Sequence, residues 1–468
     1  MADADISALA SIISTNVSAV LTKCAALGTP LPTLADPFPS SFDGVSAHML
    51  EEIMTIVAAA QQLIATVQMP SQYTTGPGSQ THVNAALDAV MIGHVTEILR
   101  EAGPSGLPVD EIAAKNNMDP GKLARLLRIL ATNHIFKEVS PDVFANNRIS
   151  ASLDTGKSFS EIVSNPNDKY TATSGSGAFT ALICDTIKTA AYLPETLHDP
   201  QTASSQEVTE TAFNRAYGTN TPYFEWLHKP ENGARRRMFD AAMTGLGALG
   251  NPKEILEGFE WDKLPEGSIV VDVGGGVGTT MQVLFDEHKH LKYVVQDREP
   301  VMADARTFWE THRPEALKSN QVTLQAHDFF DEQPIKNARV FFLRAIMHNW
   351  PTHHAARILR RLRYAAAPDT QLVLADNIVP YACRERDGPN ETDVLGAKPF
   401  QAPEGLLPNW GLADNFVYTM DSWMLLSYNA QERTIKGFKD LLGQAGWRLD
   451  RVYRSRGDKF PRLVASPV

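Results

Sequence analysis

The sequence predicts an α/β protein. Its amino-terminal part is helical, and its carboxyl-terminal half forms a doubly wound, mostly parallel β-sheet. From residue 268 onward, short apolar runs rich in β-branched residues alternate with polar helical segments, which is typical of parallel strands buried on both faces. A glycine-rich loop follows the first run, where such a sheet binds its ligand. The predicted strands are SIVVDV, KYVVQD, VTLQA, RVFFLRA, QLVLAD, WRLDRVYRS and PRLVASPV.

The composition is that of an ordinary globular chain. At 468 residues, roughly two to four domains are expected. A formal net charge of −11 argues against broad nucleic-acid binding, so no nucleic-acid partner is expected. The three cysteines lie far apart, which excludes a disulfide framework or a cysteine metal cluster. Since neither an apolar run of ~20 residues nor a basic signal-peptide start is apparent, we expect no membrane segment and a cytoplasmic location.

Periodicity and composition divide the chain into four segments. The first three are predicted to be a helical extension, a compact winged-helix-like domain and a helical connecting segment rich in aromatic residues. The fourth is the α/β domain. The aromatic residues of the third segment could form either a core or a pocket, because spacing alone does not decide between them. The segments are residues 1–80, 81–160, 161–250 and 251–468.

The second segment contains a predicted helix, turn, helix and two short strands. Residues 82–103 read as one amphipathic helix, and Asp119 with Pro120 predicts the start of a later one. Three cations on that later helix, Arg128 among them, are compatible with DNA recognition. They are few in an acidic chain, so packing or dimerisation is the favoured interpretation.

The glycine loop follows Asp272 and contains Gly274, Gly276 and Gly278 at the predicted start of a helix. Glycine lets the backbone turn tightly and approach a ligand closely. Thr279 stands where a dinucleotide fingerprint needs glycine, and no lysine supports a phosphate-binding loop. Because an acid before the loop would repel pyrophosphate, a cofactor with an amino group or positive charge is favoured.

Acidic residues also follow the next two predicted strands. Asp297 is placed to bind a ribose diol, and Asp328 followed by Phe329 could hold adenine. With Asp272, these strand ends favour S-adenosyl-L-methionine over NAD as the cofactor. Taken singly, Asp297 and Asp328 could be ordinary carboxylates at loop entries.

A histidine follows the fourth predicted strand. His348 has the side chain most often used as a general base near pH 7, and Asp376 and Glu432 could orient its ring. An isolated loop histidine is otherwise unremarkable in function. His353 and His354 lie nearby, but the three histidines lack the i, i+4 spacing of a helical zinc pair, so no metal is expected.

In their order along the chain, these features resemble the class I S-adenosylmethionine-dependent O-methyltransferases of the plant caffeic acid and flavonoid type, in their fungal aromatic branch. The resemblance covers roughly residues 80–468 and includes the His348-x-Trp350 and Glu432-Arg433-Thr434 motifs. It implies a Rossmann-like methyltransferase sheet with an N-terminal helical/winged-helix dimerisation domain, and therefore a homodimer. It also implies methyl transfer to a hydroxyl, expected to be phenolic, of a small aromatic secondary metabolite.

The resemblance further implies the role of each matching residue. His348 would be the base, flanked by Glu432 and by Asp376, where the family usually has glutamate. The cofactor-binding positions are Asp272, Gly274, Gly276, Gly278, Asp297, Asp328, Phe329 and Arg344, the last replacing a family lysine.

The acceptor pocket is implied less directly. Phe239 and Met243 match a substrate wall, and Met424 and Asn429 match further pocket positions. Asn349 replaces the usual aspartate beside the base, which would change how a neighbouring phenol oxygen is held. The segment 381–411 is longer here than in the plant enzymes, and in this chain it could act as a lid.

Two other functions stay open from the sequence. Some fungal proteins with this fold bind the cofactor without transferring methyl and act as pericyclases or isomerases. Because those proteins replace the base, His348 with its two acids argues against that function. A DNA-binding regulator is the other alternative, and it would show salt-dependent DNA affinity.

Overall fold

The structure, a computed structural model, describes residues 5–248, 252–384 and 394–468. The chain forms two compact units. One comprises Met1–His198, Ala212–Leu249 and Pro403–Leu406, and the other comprises Asp199–Thr211, Gly250–Ala402 and Leu407–Val468. The finer division into four segments stays a prediction.

The first unit is mainly helical. Its α-helices are α1 (Ile6–Ala26), α2 (Ser41–Val45), α3 (Leu50–Val67), α4 (Pro70–Ile92), α5 (Val95–Ala102), α6 (Val109–Asn116), α7 (Pro120–Thr132), α8 (Arg148–Ala151), α9 (Phe159–Ser164), α10 (Ser176–Ala191), α11 (Leu193–His198), α12 (Ala212–Tyr217), α13 (Tyr223–Leu227) and α14 (Gly233–Ala248). Short 3₁₀ helices occur at Ser46–Met49, Pro166–Asp168 and Pro230–Asn232. The strands β1 (Leu107–Pro108), β2 (Lys137–Ser140) and β3 (Val143–Ala145) form an antiparallel sheet in the order β1-β3-β2.

Helices α6 and α7 and the small sheet follow the predicted order of helix, turn, helix and short strands. The Asp119 carboxylate caps α7 by accepting the Lys122 N–H at 2.8 Å, and Pro120 is the first helical residue. Arg128 pairs with Glu138 and Asp142 of the same unit. Arg128 is one of the three cations on which the DNA interpretation depends, and these ion pairs neutralise its charge.

The single helix predicted over residues 82–103 is wrong, because the chain breaks it into α4 and α5. His94 adopts a left-handed backbone with φ 55°, which ends one helix and starts the next. The end of α4 is held from elsewhere in the unit. Asn116 donates to the Gly93 carbonyl at 2.9 Å, and Lys169 donates to the Met91 carbonyl at 2.5 Å.

Helices α1 and α3 pack against each other at the amino terminus, around Val20, Cys24 and Met49. Ile6–Ala26 and Ser41–Val67 are long and apolar enough to cross a membrane by length and composition alone, so the expectation of no membrane segment stays a prediction. This is weak evidence, since packed helices of soluble proteins can have the same length and composition. Lys23 and Glu52 form an ion pair between the two helices at 2.6 Å.

The second unit contains the predicted parallel sheet. Its strands are β4 (Ile269–Val273), β5 (Lys292–Asp297), β6 (Val322–Ala326), β7 (Val340–Arg344), β8 (Gln371–Ala375), β9 (Trp447–Tyr453) and β10 (Arg462–Pro467). The order is β6-β5-β4-β7-β8-β10-β9. The first five strands in this order are parallel, and β10 runs antiparallel to both β8 and β9. The seven strands predicted from sequence are confirmed.

Helices cover both faces of this sheet. The helices of this unit are α15 (Thr279–Glu287), α16 (Glu299–His312), α17 (Pro314–Lys318), α18 (Thr352–Ala365), α19 (Phe416–Tyr428) and α20 (Ile435–Gln444), with 3₁₀ helices at Pro252–Leu256, Trp261–Lys263, Met347–Asn349 and Gly411–Asp414. Neighbouring strand residues enter different cores: Phe341 joins the core with α18 and α20, whereas Phe342 joins the core with α15 and α16. The strands are apolar at successive positions because both faces are buried.

The order of the strands also fixes where a ligand can bind. The chain builds outward from β4 to β5 and β6, and then returns to place β7 on the other side of β4. In sheets of this class, ligands bind beyond the carboxyl ends of the strands at this reversal. The loops after β4 and β7, which contain the glycines and His348, lie at that edge.

Candidate active site

The loop between β4 and α15 needs glycine at several positions. Gly274, Gly276 and Gly278 have φ values of 73°, 58° and 85°, a left-handed backbone that glycine adopts without strain. At Gly278 there is also no room, because a Cβ would lie 2.7 Å from Nε1 of Trp309. The same indole donates to the Val277 carbonyl at 3.0 Å, so α16 holds the loop through Trp309.

Asp272 lies beneath this loop and is almost completely buried. A Cβ on Gly275 would lie 2.3 Å from the Asp272 carboxylate, so the loop backbone follows the carboxylate closely. Burial and the nearby charge of Asp297 raise the pKa of Asp272 to about 7, while Arg344 opposes the shift. Because little positive charge lies near this buried carboxylate, it would favour a cationic ligand. S-adenosylmethionine, with its positively charged sulfonium, is such a ligand.

The structure brings other predicted cofactor residues to the same loop. Asp297 Oδ2 accepts the Gly276 N–H at 2.9 Å. The ring of Phe329 would lie 3.5 Å from a Cβ on Gly274. Asp328 is exposed, and its Oδ1 accepts the Phe330 N–H at 2.9 Å. Asp297 and Phe329, which follow β5 and β6, thus lie at the glycine loop after β4, whereas a role of Asp328 at the cofactor stays a prediction.

Arg344 ends β7 and carries positive charge into this region. Its guanidinium lies 4.8 Å from the centre of the Phe460 ring. Burial lowers the pKa of Arg344, whereas the charges of Glu254, Asp272 and Asp376 act to raise it. The side chain therefore partly balances the carboxylates on both sides of β7.

His348 lies in the 3₁₀ helix Met347–Asn349, between β7 and α18. Its Nδ1 is 2.8 Å from Oε1 of Glu432, and the side chains are 14% and 0% exposed. Asn377 donates its amide to the same oxygen at 2.9 Å. Because a carboxylate oxygen only accepts, Nδ1 carries the hydrogen and the lone pair of a neutral ring lies on Nε2.

The surroundings of His348 make it a stronger base than an ordinary histidine. Burial by itself lowers the pKa of the imidazole. The charge and hydrogen bond of Glu432, the charge of Asp376 and the Ala345 carbonyl outweigh burial, and the pKa is raised. The imidazolium is therefore stabilised by Glu432 at Nδ1, by the charge of Asp376 and by the Ala345 carbonyl.

Asp376 follows β8 and is fully buried. Its Oδ2 accepts the Met347 N–H at 3.3 Å, which connects it to the turn rather than to the His348 ring. Burial raises the pKa of Asp376 to about 6; the charges of His348 and Arg433 oppose the shift, and that of Glu432 adds to it. Asp376 thus supports His348 by charge and by holding its backbone.

Arg433 and Asp421 also build this site, although neither was predicted from sequence as a site residue. Arg433 donates to the Met347 and Trp350 carbonyls at 2.6 and 2.8 Å. Asp421 Oδ1 accepts the Glu432 N–H at 2.8 Å. Arg433 was visible in the Glu-Arg-Thr motif, but nothing in the sequence pairs Asp421 with Glu432.

Two groups of described residues have donor atoms close enough for a metal ion. The first is His348 with Asp376 and Glu432, and the second is an exposed group, Glu207 with His353 and His354. In each group the donor atoms lie within 4.8 Å of one another. The expectation of no metal stays a prediction.

Three predicted acceptor residues lie in the unit that contains His348. Met424 is buried on α19. Asn349 donates its amide to the Ala345 carbonyl at 3.0 Å, within the turn. Asn429 ends α19 with φ 52° and donates to the Glu207 and Glu210 carbonyls at 2.8 and 3.2 Å. The amide of Asn429 therefore already holds the 199–211 segment.

The other two predicted acceptor residues, Phe239 and Met243, belong to α14 of the first unit. Phe239 extends an aromatic cluster, with its ring 6.0 Å from that of Phe224 and 6.4 Å from that of Tyr223. Their role at the acceptor stays a prediction. Of the predicted lid, residues 385–393 lie outside the described residues.

Comparisons with known proteins agree with the chemistry of the site. Residues 195–448 match the family of O-methyltransferase domains. A 4-O-methyltransferase of Phanerochaete chrysosporium is 42% identical over 92% of both chains, and an O-methyltransferase of Armillaria gallica is 39% identical over 98% of both. The solved structure of LepI in complex with S-adenosylmethionine is similar in fold. Its TM-score is 0.67 at 19% identity, and the match covers 97% of this chain and 100% of that one.

Proposed function

The chain belongs to the O-methyltransferase family, and we propose that His348 is the general base of its reaction. The protein is an S-adenosylmethionine-dependent O-methyltransferase. The observation that carries the proposal is the 2.8 Å contact between His348 Nδ1 and the buried Glu432 carboxylate. It leaves Nε2 free of the ring hydrogen and able to accept a proton.

The cofactor determines what the protein must do. S-adenosylmethionine supplies a methyl group that is already activated on a sulfonium, so no nucleophilic side chain is required. The chain positions the acceptor hydroxyl and holds its proton on His348, while Glu432 stabilises the resulting imidazolium. General-base catalysis of this kind contributes about 10²–10⁴-fold to the rate.

The cofactor-binding part of the proposal uses the loop between β4 and α15. The Asp272 carboxylate would face positive charge, and Asp297 would bind the ribose hydroxyls. Asp328 and Phe329 would contact the adenine, and the backbone at Arg344 would complete the site. The proposal is supported by the raised pKa of Asp272, by the hydrogen bond that Asp297 accepts from Gly276, and by the Phe329 ring beside Gly274.

A phenolic hydroxyl on a small aromatic molecule is the acceptor that suits this base. A phenol has a pKa of about 10, as tyrosine does, whereas an aliphatic hydroxyl is a far weaker acid. A histidine whose pKa is raised by Glu432 comes within a few units of the phenol. Proton transfer in the transition state is then favourable enough to help the reaction.

A homodimer and a cytoplasmic location complete the proposal. The homodimer follows from the family resemblance, and the cytoplasmic location follows from the expectation made from the sequence. They are tested by light scattering on the purified chain and by fractionation of cells that express it, respectively. A dimer mass and recovery in the soluble fraction would support them, and a monomer or recovery with membranes would refute the corresponding part.

The base is tested with His348→Ala and a control, His353→Ala, which removes an exposed histidine nearby. Initial rates are measured with labelled methyl donor over a panel of phenols, and cofactor binding is measured by calorimetry. We expect His348→Ala to lose about 10²–10⁴-fold in turnover while it binds cofactor normally, with the control unchanged. Turnover of His348→Ala like that of the wild type would remove His348 from the role.

The pericyclase or isomerase alternative predicts that the cofactor is not consumed. Mass spectrometry for S-adenosylhomocysteine in the same reactions separates the two functions. Formation of one S-adenosylhomocysteine for each methylated product supports methyl transfer, and a rearranged product without it supports the alternative.

A further inference from the structure

We propose that Arg433 is a positioning residue that clamps the turn carrying His348 and balances the two buried carboxylates beside it. This rests on the proposed function, because it concerns how the base is held. The side chain of Arg433 is almost completely buried within the unit.

The guanidinium of Arg433 binds backbone carbonyls on both sides of His348 in the sequence. Nη1 donates to the Met347 carbonyl at 2.6 Å, and Nη2 donates to the Trp350 carbonyl at 2.8 Å. These residues lie immediately before and two residues after His348. A planar fork that holds both carbonyls fixes the backbone of the 3₁₀ turn, which a lysine with one ammonium group does less well.

The main chain of Arg433 joins two further parts of the site. Its carbonyl accepts the Val379 N–H at 3.0 Å, and Arg433 pairs with Ile378 in a parallel β-bridge. The segment after β8, which carries Asp376, is thereby attached to the segment that carries Glu432. One residue consequently sets the relative positions of the base and its two acids.

The charges around His348 give Arg433 a second role. Glu432 and Asp376 face the ring, and Asp421 lies behind Glu432, whose N–H it accepts. Arg433 interacts with all three carboxylates. When His348 is neutral, the ionised Asp376, Glu432 and Asp421 together with Arg433 carry a net charge of −2. Proton uptake by His348 brings this net charge to −1.

Without the charge of Arg433, the same carboxylates would hold the His348 proton more tightly. The charge of Arg433 lowers the pKa of Asp376, so its loss would also raise the Asp376 pKa and thereby reduce the effect on His348. The charge of Arg344 also interacts with Asp376. The remaining effect would raise the pKa of His348, so a larger fraction of the enzyme would already be protonated and unable to act as base.

Two variants separate the clamp from the charge. Arg433→Met removes both, whereas Arg433→Lys keeps the charge and loses the fork. Arg448→Met, at an exposed arginine on β9 that pairs with Asp450, is the matched control. The readouts are the NMR titration of the His348 ring in the free protein, assigned by its absence in His348→Ala, and the pH profile of turnover.

We expect Arg433→Met to raise the His348 pKa by about one unit. Arg433→Lys should leave that pKa near the wild-type value and lower kcat more than it raises KM. If Arg433→Met folds and its His348 titration is unchanged, the charge role is overturned. If Arg433→Met does not fold, a raised His348 pKa in Arg433→Lys overturns the charge role instead. An unchanged kcat in Arg433→Lys would overturn the clamp. If the titration moves but the acid limb of turnover does not follow it, the base assignment of His348 fails and the role of Arg433 stands.

Discussion

Replacing Glu432 with glutamine removes the charge behind His348 while keeping the shape of the contact. Two groups, the His348 ring and the Asn377 amide, bind Oε1 of Glu432, so that position must stay an acceptor. The glutamine oxygen can take it, and the tautomer of the ring is then preserved. The substitution therefore isolates the effect of charge on the base.

The size of the effect follows from burial. The Glu432 side chain is inaccessible to solvent, so its charge is little screened. A hydrogen bond to a charged group contributes about 1.5–3 kcal/mol and a neutral one about 0.5–1.5 kcal/mol, a difference of about 1–1.5 kcal/mol. At about 1.4 kcal/mol for each pKa unit, we expect the His348 pKa to fall by about one unit. Turnover should fall by up to about tenfold.

Initial rates from pH 5 to 9 with a phenol acceptor test this expectation. The acid limb of kcat/KM should move to lower pH by about one unit, opposite in sign to the shift expected for Arg433→Met. The raised His348 pKa contributes stability that is fully present below pH 6.5 and is lost as pH rises through the folded-state pKa. Glu432→Gln should consequently lower Tm more at pH 5.5 than at pH 8.5. An acid limb identical to that of the wild type would refute the electrostatic coupling of Glu432 to His348.

Two further substitutions test the cofactor loop. Cofactor affinity of the wild type, measured by calorimetry, should rise with pH up to about 7, because the raised pKa of Asp272 means that binding to the carboxylate releases a proton. Asp272→Asn should bind more weakly and lose this pH dependence, and a retained dependence would contradict the assignment to Asp272. Gly278→Ala should destabilise the protein by about 1–3 kcal/mol in denaturant unfolding, because the left-handed backbone and the contact with Trp309 both disfavour a Cβ. Wild-type stability of Gly278→Ala would show that the loop relaxes.

The sheet could be predicted because its signals are local. The apolar strands are continuous, since both faces are buried, and the glycines mark a turn that other residues adopt with strain. The acids at the strand ends could be grouped because parallel strands end at one edge. His348 and Glu432, 84 residues apart, were proposed together from their chemistry and then from the family resemblance, and the structure places them in contact.

The features that could not be predicted from the sequence depend on contacts between distant segments of the chain. The break between α4 and α5 falls at His94, which has a positive φ, and side chains from two other segments hold it. Gly93, the C-cap of α4, marks the break in the sequence, but a single glycine inside a helical pattern is often tolerated. The roles of Arg433 and Asp421 likewise exist only once α19, the turn after β7 and the segment before α20 meet. A charge seen in a sequence does not reveal which carbonyl or carboxylate it will bind.

The most direct test of the central claim is a crystal structure of the chain with S-adenosylhomocysteine and a phenol that it methylates. The hydroxyl oxygen should lie about 2.6–3.2 Å from Nε2 of His348, with Nδ1 still bonded to Glu432. A hydroxyl bonded to another side chain, with His348 out of reach and no water between them, would contradict the account.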